Sequence, residues 1–334
     1  MTSSTALVGA LLDAMEEPAL LVEGQRTSAA NAAALQLLGD QIVGTDVRLA
    51  IRHPVALDAI LNRRSATVGV AGIGGLDREW ELSVRSLPRD LLLVRLSDKS
   101  PLRAAEKMRV DFVANASHEL RTPLATIVGY AETLAEEGDL PPEMRAKFGR
   151  AIHGEARRML RIVEDLMSLS RIEADRFVQP SERVDLAEVV RIAGENARHL
   201  AESRRCSIQI EIDNDLGEVT GDYAQLLQLT DNLVGNAVRY GCGPAAAEVT
   251  VSAGRDNGMA LLSVRDRGEG IPPAHIPRLT ERFYRVDAAR SRDSGGTGLG
   301  LAIVKHIVER HRGRLEIRSQ PGRGTEVRAW LPFA

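Results

Sequence analysis

The chain has 334 residues, 44% hydrophobic, 27% charged and only 3% aromatic, so it folds around Leu, Val, Ile and Ala, with length enough for two or three domains. A net charge of -3 leaves no basic footprint for direct nucleic-acid binding. No run reaches the ~18 apolar residues of a membrane span, and Met1 to Met15 lacks the basic start of a signal peptide. A cytoplasmic protein without a membrane span is therefore expected. Cys206 and Cys242 stand in different contexts without metal-ligand spacing and are expected as separate thiols, neither a disulfide nor a zinc site.

Residues 1–96 alternate helical and extended runs: helical Leu7 to Met15, extended Ala19 to Val22, helical Ala29 to Leu38, then strands Glu79 to Ser86 and Leu91 to Leu96. This order suits a small α+β sensor module. A polar linker helix, 97–109, leads into a segment, 110–177, in which Val113, Ser117, Leu120, Leu124, Ile127, Ala131 and Leu134 form a heptad seam. Pro123 inside that helix removes one backbone hydrogen bond and favours a bend. A turn at Glu137 to Pro142 precedes a second helix with Ile152, Ala156, Met159, Val163 and Leu166 in the same rhythm. One apolar seam per helix buries little in a single hairpin, so two copies forming a four-helix bundle, a homodimer, are expected. Residues 178–334 then mix helices (Leu186 to Ser203, Tyr223 to Tyr240, Leu299 to Arg310) with strands (Ile208 to Ile212, Glu248 to Ala253, Leu261 to Arg265, Arg314 to Ser319, Glu326 to Leu331), an α/β sandwich.

His118 sits one residue off the first seam and so projects from the flank of the bundle, with Glu119 beside it and Thr122 one turn above. A lone helical histidine is usually a solvated side chain. Three clusters downstream reverse those odds. Asn232 and Asn236, four apart on one helical face, present amide oxygens of the kind magnesium accepts, although paired asparagines also serve as caps or solvated groups. Asp266-Arg-Gly268-Glu-Gly270 ends a strand in a carboxylate that could accept from an exocyclic amine, although the same pattern makes ordinary turns. Gly295-Gly296-Thr297-Gly298-Leu299-Gly300 opens a helix, where free N–H groups and the helix dipole suit a phosphate; it lacks the Walker ending, and such a loop is otherwise a linker.

In this order, with Ser117-His118-Glu119-Leu120-Arg121-Thr122-Pro123 upstream, the chain resembles the sensor histidine kinases from about residue 106 to 333. Their ATP domain, of the Bergerat/GHKL type, is shared with type II topoisomerases and Hsp90-like chaperones. Arg282-Phe283-Tyr284-Arg285 resembles the family's aromatic box and Gly322-Arg-Gly324-Thr325 its last glycine turn, while Phe112 to Leu124 is similar to the phosphate-regulon branch. Asn232 through Tyr240 resembles the family's N box, and Gly241 departs from the Ser or Thr common after it, which would loosen that loop.

The resemblance implies a multidomain α+β protein: a PAS-like module (1–96), a linker helix (97–109), a helical-hairpin dimerisation and phosphotransfer domain (110–177), and an ATP-binding domain (178–334). It implies ATP and Mg2+ as cofactors, with Asn232, Asn236, Arg239, Tyr240, Asp266, Gly268, Gly270, Gly296, Thr297, Gly298, Leu299 and Gly300 at the nucleotide and Asn236 on the metal. The loop from Ser291 to Gly298 would close as a lid. His118 would accept the γ-phosphoryl group, Glu119 would orient or deprotonate it, and Thr122 would place a water for dephosphorylating a response regulator that takes the phosphoryl group on an aspartate. A GHKL-type ATPase is the first rival, but it uses Glu at the position of Asn232, and an amide is no base. The second is a non-catalytic scaffold, which would lack the histidine or the glycines. In the first module His53 precedes Pro54 and is not taken as a haem ligand, no Cys offers a flavin adduct, and the remaining histidines show no metal pairing.

Overall fold

The computed structural model describes residues 9–75, 78–88, 90–136, 140–175, 177–243, 248–287 and 296–334. These fall into two compact units, Met1–Val113 and Ala114–Ala334. Among the described residues no helix is long and apolar enough to cross a membrane.

The first unit is built on an antiparallel sheet of β1 (Ala19–Glu23), β2 (Arg26–Ala30), β3 (Ala66–Ala71), β4 (Glu79–Leu87) and β5 (Leu91–Asp98), in the order β2-β1-β5-β4-β3. Period-2 alternation turns Trp80, Leu82 and Val84 of β4 and Leu92, Val94 and Leu96 of β5 inward. They meet Val47, Ile51 and Ile60 from α2 (Val47–Ala50) and α3 (Pro54–Leu61) in one aliphatic core. Residues 9–13 are helical, and the expected start of that helix at Leu7 lies outside the described residues.

The helix expected over Ala29 to Leu38 is shorter. Residues up to Ala30 pair with β1, and α1 runs only over Ala32–Leu38. Asn31 is the reason: its buried Oδ1 accepts from Ala34 N at 2.9 Å as an N-cap and from Ala19 N at 3.0 Å, and its Nδ2 donates to the carbonyls of Leu12, Met15 and Glu17. One amide thus ties the first helical run, β1 and α1 together.

Helix α4 (Ser100–Glu136) starts after Asp98, whose Oδ1 accepts from Ser100 N, so Ser97 belongs to β5 and not to the linker helix. It continues through Pro123, which is buried. Helix α5 (Pro142–Ala174) returns beside it, with Phe148 stacked on Tyr130 at 5.0 Å; Gly138 of the turn lies outside the described residues.

The seam reading needs correction on α5. Its buried residues are Arg158, Ile162, Leu169 and Ile172, whereas the expected Val163 is exposed. Of the expected row, Ile152, Ala156, Met159 and Leu166 are half-buried, while the buried row, not read from the sequence, packs against the C-terminal sheet domain. A further apolar set, Leu160, Val163 and Met167, stays exposed with Leu124 and Val128 of α4.

After β6 (Glu182–Val184) come α6 (Leu186–Ser203), β7 (Ser207–Ile212), β8 (Val219–Gly221), α7 (Tyr223–Asn236), β9 (Glu248–Asp256), β10 (Met259–Asp266), α8 (Gly300–Arg310), β11 (Arg314–Gln320) and β12 (Gly324–Leu331). Five strands form a mixed sheet, β11-β12-β10-β9-β7, in which β7 runs parallel to β9, while β6 and β8 pair separately. Capping fixes two helix starts: Asp185 accepts from Ala187 N at 2.8 Å and Asp222 from Gln225 N at 3.1 Å. His311 is buried; its Nδ1 meets Ile307 O and its Nε2 accepts from Asp222 N, and burial lowers its pKa, as befits a neutral structural ring.

Two further expectations change here. The helix expected to run to Tyr240 ends at Asn236, and Ala237–Gly241 winds as a π-helical turn. That turn delivers Cys242 to Cys206 at the end of α6, and the two form a disulfide with a Cα–Cα distance of 5.9 Å. Their separation of 36 residues gave no local signal, because the pairing depends on two helix ends meeting in the tertiary fold.

Asn31→Ala should destabilise the first unit by about 2–4 kcal/mol, since it leaves several buried backbone groups without their partner. Urea unfolding of wild type and variant measures this, and a loss below about 0.5 kcal/mol would remove Asn31 from its place as the staple.

Candidate functional site

Strand β10 sends Ala260, Leu262, Val264 and then Asp266 to its buried face. The carboxylate therefore sits where the alternation calls for an apolar group, at the strand end. Its Oδ1 accepts from Gly268 N at 2.9 Å and Thr325 N at 3.1 Å. Burial still raises the Asp266 pKa, and those two bonds oppose the rise.

Close backbone approach makes this pocket possible. A Cβ on Gly241 would collide with the Asp266 side chain, and one on Gly324 with the Asp266 carbonyl. Gly268 lies against Gly241 Cα, and Gly270, at φ +70, against the carbonyl of Gln320. Gly241 therefore does not loosen its loop. It lets the N box close on Asp266.

Asn232 and Asn236 share one face of α7, and Gly300 at the start of α8 opposes both: a Cβ there would stand 3.2 Å from Asn232 Oδ1 and 3.7 Å from Asn236 Nδ2. Asn232 Nδ2 is buried with no hydrogen-bond partner. An orphaned amide donor beside a helix N-terminus fits an anionic oxygen, and the amide oxygen of Asn236 fits a hard cation held with it. Leu299 has a fully buried side chain, so only its backbone is available to a ligand. The Tyr240 hydroxyl lies over Gly296, and Gly298, at φ +75, packs on Phe283, whose N–H donates to the Gly298 carbonyl at 2.9 Å. Gly295 and most of the expected lid, from Ser291, lie outside the described residues.

Other expected residues face the hairpin. Thr297 is buried and donates from Oγ1 to Asp165 Oδ2 of α5 at 2.6 Å. Burial raises the Asp165 pKa, against that hydrogen bond and the charges of Arg239 and Arg161. Burial lowers the Arg239 pKa; its charge acts on Asp165, and its carbonyl accepts from Arg204 at 2.8 Å.

On α4, His118 and Thr122 are exposed, and the Thr122 hydroxyl donates to the His118 carbonyl at 3.2 Å. Glu119 turns to Arg158 Nη2 of α5 at 2.8 Å and lies 3.7 Å from Nη1 of Arg285, the last residue of the Arg282 to Arg285 segment. Arg285 also donates to the Gly296 carbonyl, so one guanidinium reaches both Glu119 of α4 and Gly296. Arg282 pairs with Glu173, and Gln228 accepts from Ser168 at 2.7 Å. Among the described residues no hydrogen bond or ion pair joins the His118 side chain to the C-terminal cluster. Sequence reasoning missed Arg158, Asp165 and Glu173. Arg158 carried a signal, a charge four residues ahead of Ile162 in an apolar row; Asp165 and Glu173 carried none.

Residues 108–175 match the His Kinase A (phospho-acceptor) domain, and residues 221–334 match the histidine kinase-, DNA gyrase B-, and HSP90-like ATPase family. The chain is 38% identical over 277 residues to the phosphate regulon sensor protein PhoR of Pseudomonas aeruginosa, covering 82% of this chain and 58% of that protein. It is 37% identical over 245 residues to the sensor-like histidine kinase SenX3 of Mycolicibacterium smegmatis, covering 73% of this chain and 62% of that one. It thus spans less than two thirds of the length of either relative. A crystal structure of full-length ShkA in complex with AMPPNP is similar with a TM-score of 0.50 and 28% identity, covering 67% of this chain and 46% of that chain.

Burial holds the Asp165 pKa above the ordinary carboxylate value, so its ionised form costs stability above the folded-state pKa, and the cost vanishes below the unfolded-state pKa. Asp165→Asn should therefore match or exceed wild type in stability at neutral pH, and that margin should shrink as pH falls through the raised pKa. Urea midpoints across pH 3 to 8, roughly the range over which a carboxylate shift is read, decide it; a margin growing on acidification refutes the assignment. Gly241→Ser should cost about 1–3 kcal/mol through collision with Asp266, again read by urea unfolding.

Proposed function

The chain belongs to the sensor histidine kinases, and we propose that it moves the γ-phosphoryl group of ATP to His118 and from there to an aspartate of a response regulator. One observation carries the reading: an exposed histidine followed by a glutamate stands on the hairpin of the same unit in which Asn232, with an orphaned amide donor, and Asn236 face Gly300 at a helix start and the buried Asp266 ends β10. ATP use also accords with the matched ATPase family.

In this reading Asp266 accepts the adenine amine, and the start of α8 with Asn232 receives the phosphates. Asn236 would hold Mg2+, which when bound neutralises phosphate charge. A neutral His118 nitrogen attacks the γ-phosphorus in line while the bond to the β–γ bridging oxygen breaks, and ADP leaves. Glu119 orients the imidazole or takes its proton.

The arrangement described here is a resting one. Glu119 is held by Arg158 and Arg285, and Thr297 by Asp165. For transfer, Thr297 leaves Asp165 and Glu119 is released from Arg285, so the sheet domain can carry nucleotide to the histidine. Thr122 places a water against the phosphorylated regulator, which makes the enzyme bifunctional.

The exposed row of Leu124, Val128, Leu160, Val163 and Met167 supports a second copy of the hairpin completing a four-helix bundle. The sheet order β2-β1-β5-β4-β3, with its helices inserted between β2 and β3, supports a PAS-like sensor module. Similarity to PhoR supports phosphate-starvation signalling as the setting.

Labelled ATP and magnesium should give wild type an acid-labile, base-stable label that His118→Ala lacks; label surviving the substitution sinks the reading. Asp266→Ala should weaken ATP binding at least about tenfold, the loss of a charge-assisted hydrogen bond. Thr122→Ala should keep autophosphorylation and lose dephosphorylation of a phosphorylated regulator, and an unchanged dephosphorylation rate removes that role.

A further inference from the structure

The disulfide between Cys206 and Cys242 has no part in phosphoryl transfer, yet it lies at the wall of the nucleotide cleft. Cys242 directly follows Gly241, the residue closed on Asp266 and Gly268. Two residues earlier in the same turn, Tyr240 covers Gly296. Cys206 closes the C-terminal end of α6, with its N–H donating to the Ala201 carbonyl at 2.9 Å. A parallel tie runs alongside, because Arg204 of that helix end donates to the Arg239 carbonyl at 2.8 Å. The chain between Arg239 and Cys242 is thus anchored to α6 at both ends, once by a hydrogen bond and once by a covalent bond.

We propose that Cys206 and Cys242 are a redox modification site whose disulfide sets the affinity of the nucleotide cleft. The two sulfurs differ in access: Cys206 is buried, whereas Cys242 is half-buried. Cys242 therefore reacts first with the oxidant, a low-molecular-weight disulfide of the glutathione class. Its thiolate attacks one sulfur of that disulfide, breaks the S–S bond and releases one small thiolate. The Cys206 thiolate then attacks the Cys242 sulfur of the mixed disulfide and releases the second. Two protein thiols lose two electrons and two protons, and one small disulfide becomes two small thiols. Reduction reverses each step.

The consequence follows from geometry. When the disulfide is closed, Tyr240, Gly241 and Cys242 are held against Asp266 and the glycine box, so the adenine pocket is formed before nucleotide arrives. When it is open, that wall rests on the Arg204 hydrogen bond and on packing alone, and part of the binding energy goes into ordering it. A disulfide in a reducing compartment is characteristically transient and redox-sensing, and a pair with one accessible sulfur beside a ligand cleft has that form. This inference rests on the ATP reading of the cleft.

The test uses the full chain equilibrated with glutathione at several oxidised-to-reduced ratios. Thiols are counted after denaturation, and binding of Mg-ATP is measured by calorimetry on the same samples. Oxidation should remove both titratable thiols together, and reduction should weaken ATP binding about three- to tenfold, the scale of a modest preorganisation effect. Cys206→Ser and Cys242→Ser should each hold the weaker affinity at every ratio. If those variants do not fold, the reversible wild-type comparison stands alone and decides. Two thiols that stay titratable at all ratios, or ATP affinity equal in both states, overturn the proposal and leave the ATP reading intact. ATP failing to bind in either state overturns both.

Discussion

Asp266 occupies a core-facing register position, in line with Ala260, Leu262 and Val264, and most of the C-terminal domain's local geometry answers to that one carboxylate. A buried carboxylate must find donors or lose its charge. It finds them in the backbone of Gly268 and Thr325, and only glycine lets the neighbouring segments come that near. Gly241, Gly268 and Gly324 each bring backbone to a place that a side chain would block. These glycines are therefore a packing solution around Asp266. The π-helical turn serves the same end, because it swings Gly241 off the helical path of α7 and onto the acid.

Helix α5 shows a second constraint, the need to satisfy two partners with one helix. Its inward row is Ile162, Leu169 and Ile172, with Arg158 at the end nearest Glu119. The other row is left exposed on the same helix. A helix apolar on both sides has no stable home in an isolated hairpin. The sheet domain gives one of its rows that home.

What was legible in the sequence tracks how local each signal is. The mixed helical and extended runs marked α6, α7, α8 and the strands of the C-terminal sheet, and the order of motifs marked Asn232, Asn236, Asp266 and the glycine-rich segment at Gly295 to Gly300. Asn31 looked like part of an alanine-rich helix, because its role as a cap depends on β1 and on the carbonyls of Leu12, Met15 and Glu17. The short strands β2, β6 and β8 passed unseen for the same reason: each is defined by its partner more than by its own residues. Asp165 is the sharpest case. Nothing in its neighbourhood sets it apart from other acids on a solvated helix face, and only the tertiary fold brings Thr297 to it across 132 residues of sequence.

Beside the apolar row of α5, a polar set joins hairpin and sheet domain: Asp165 with Thr297, Ser168 with Gln228, Glu173 with Arg282, Glu119 with Arg285. Partly exposed ion pairs of this kind contribute only about 0–1 kcal/mol each, and deeper burial adds a desolvation cost that offsets the attraction. Such a set is specific in register and weak in total. The apolar row of α5 holds the sheet domain against the hairpin, and the polar set fixes which residues meet, with Glu119 of α4 as one point of attachment.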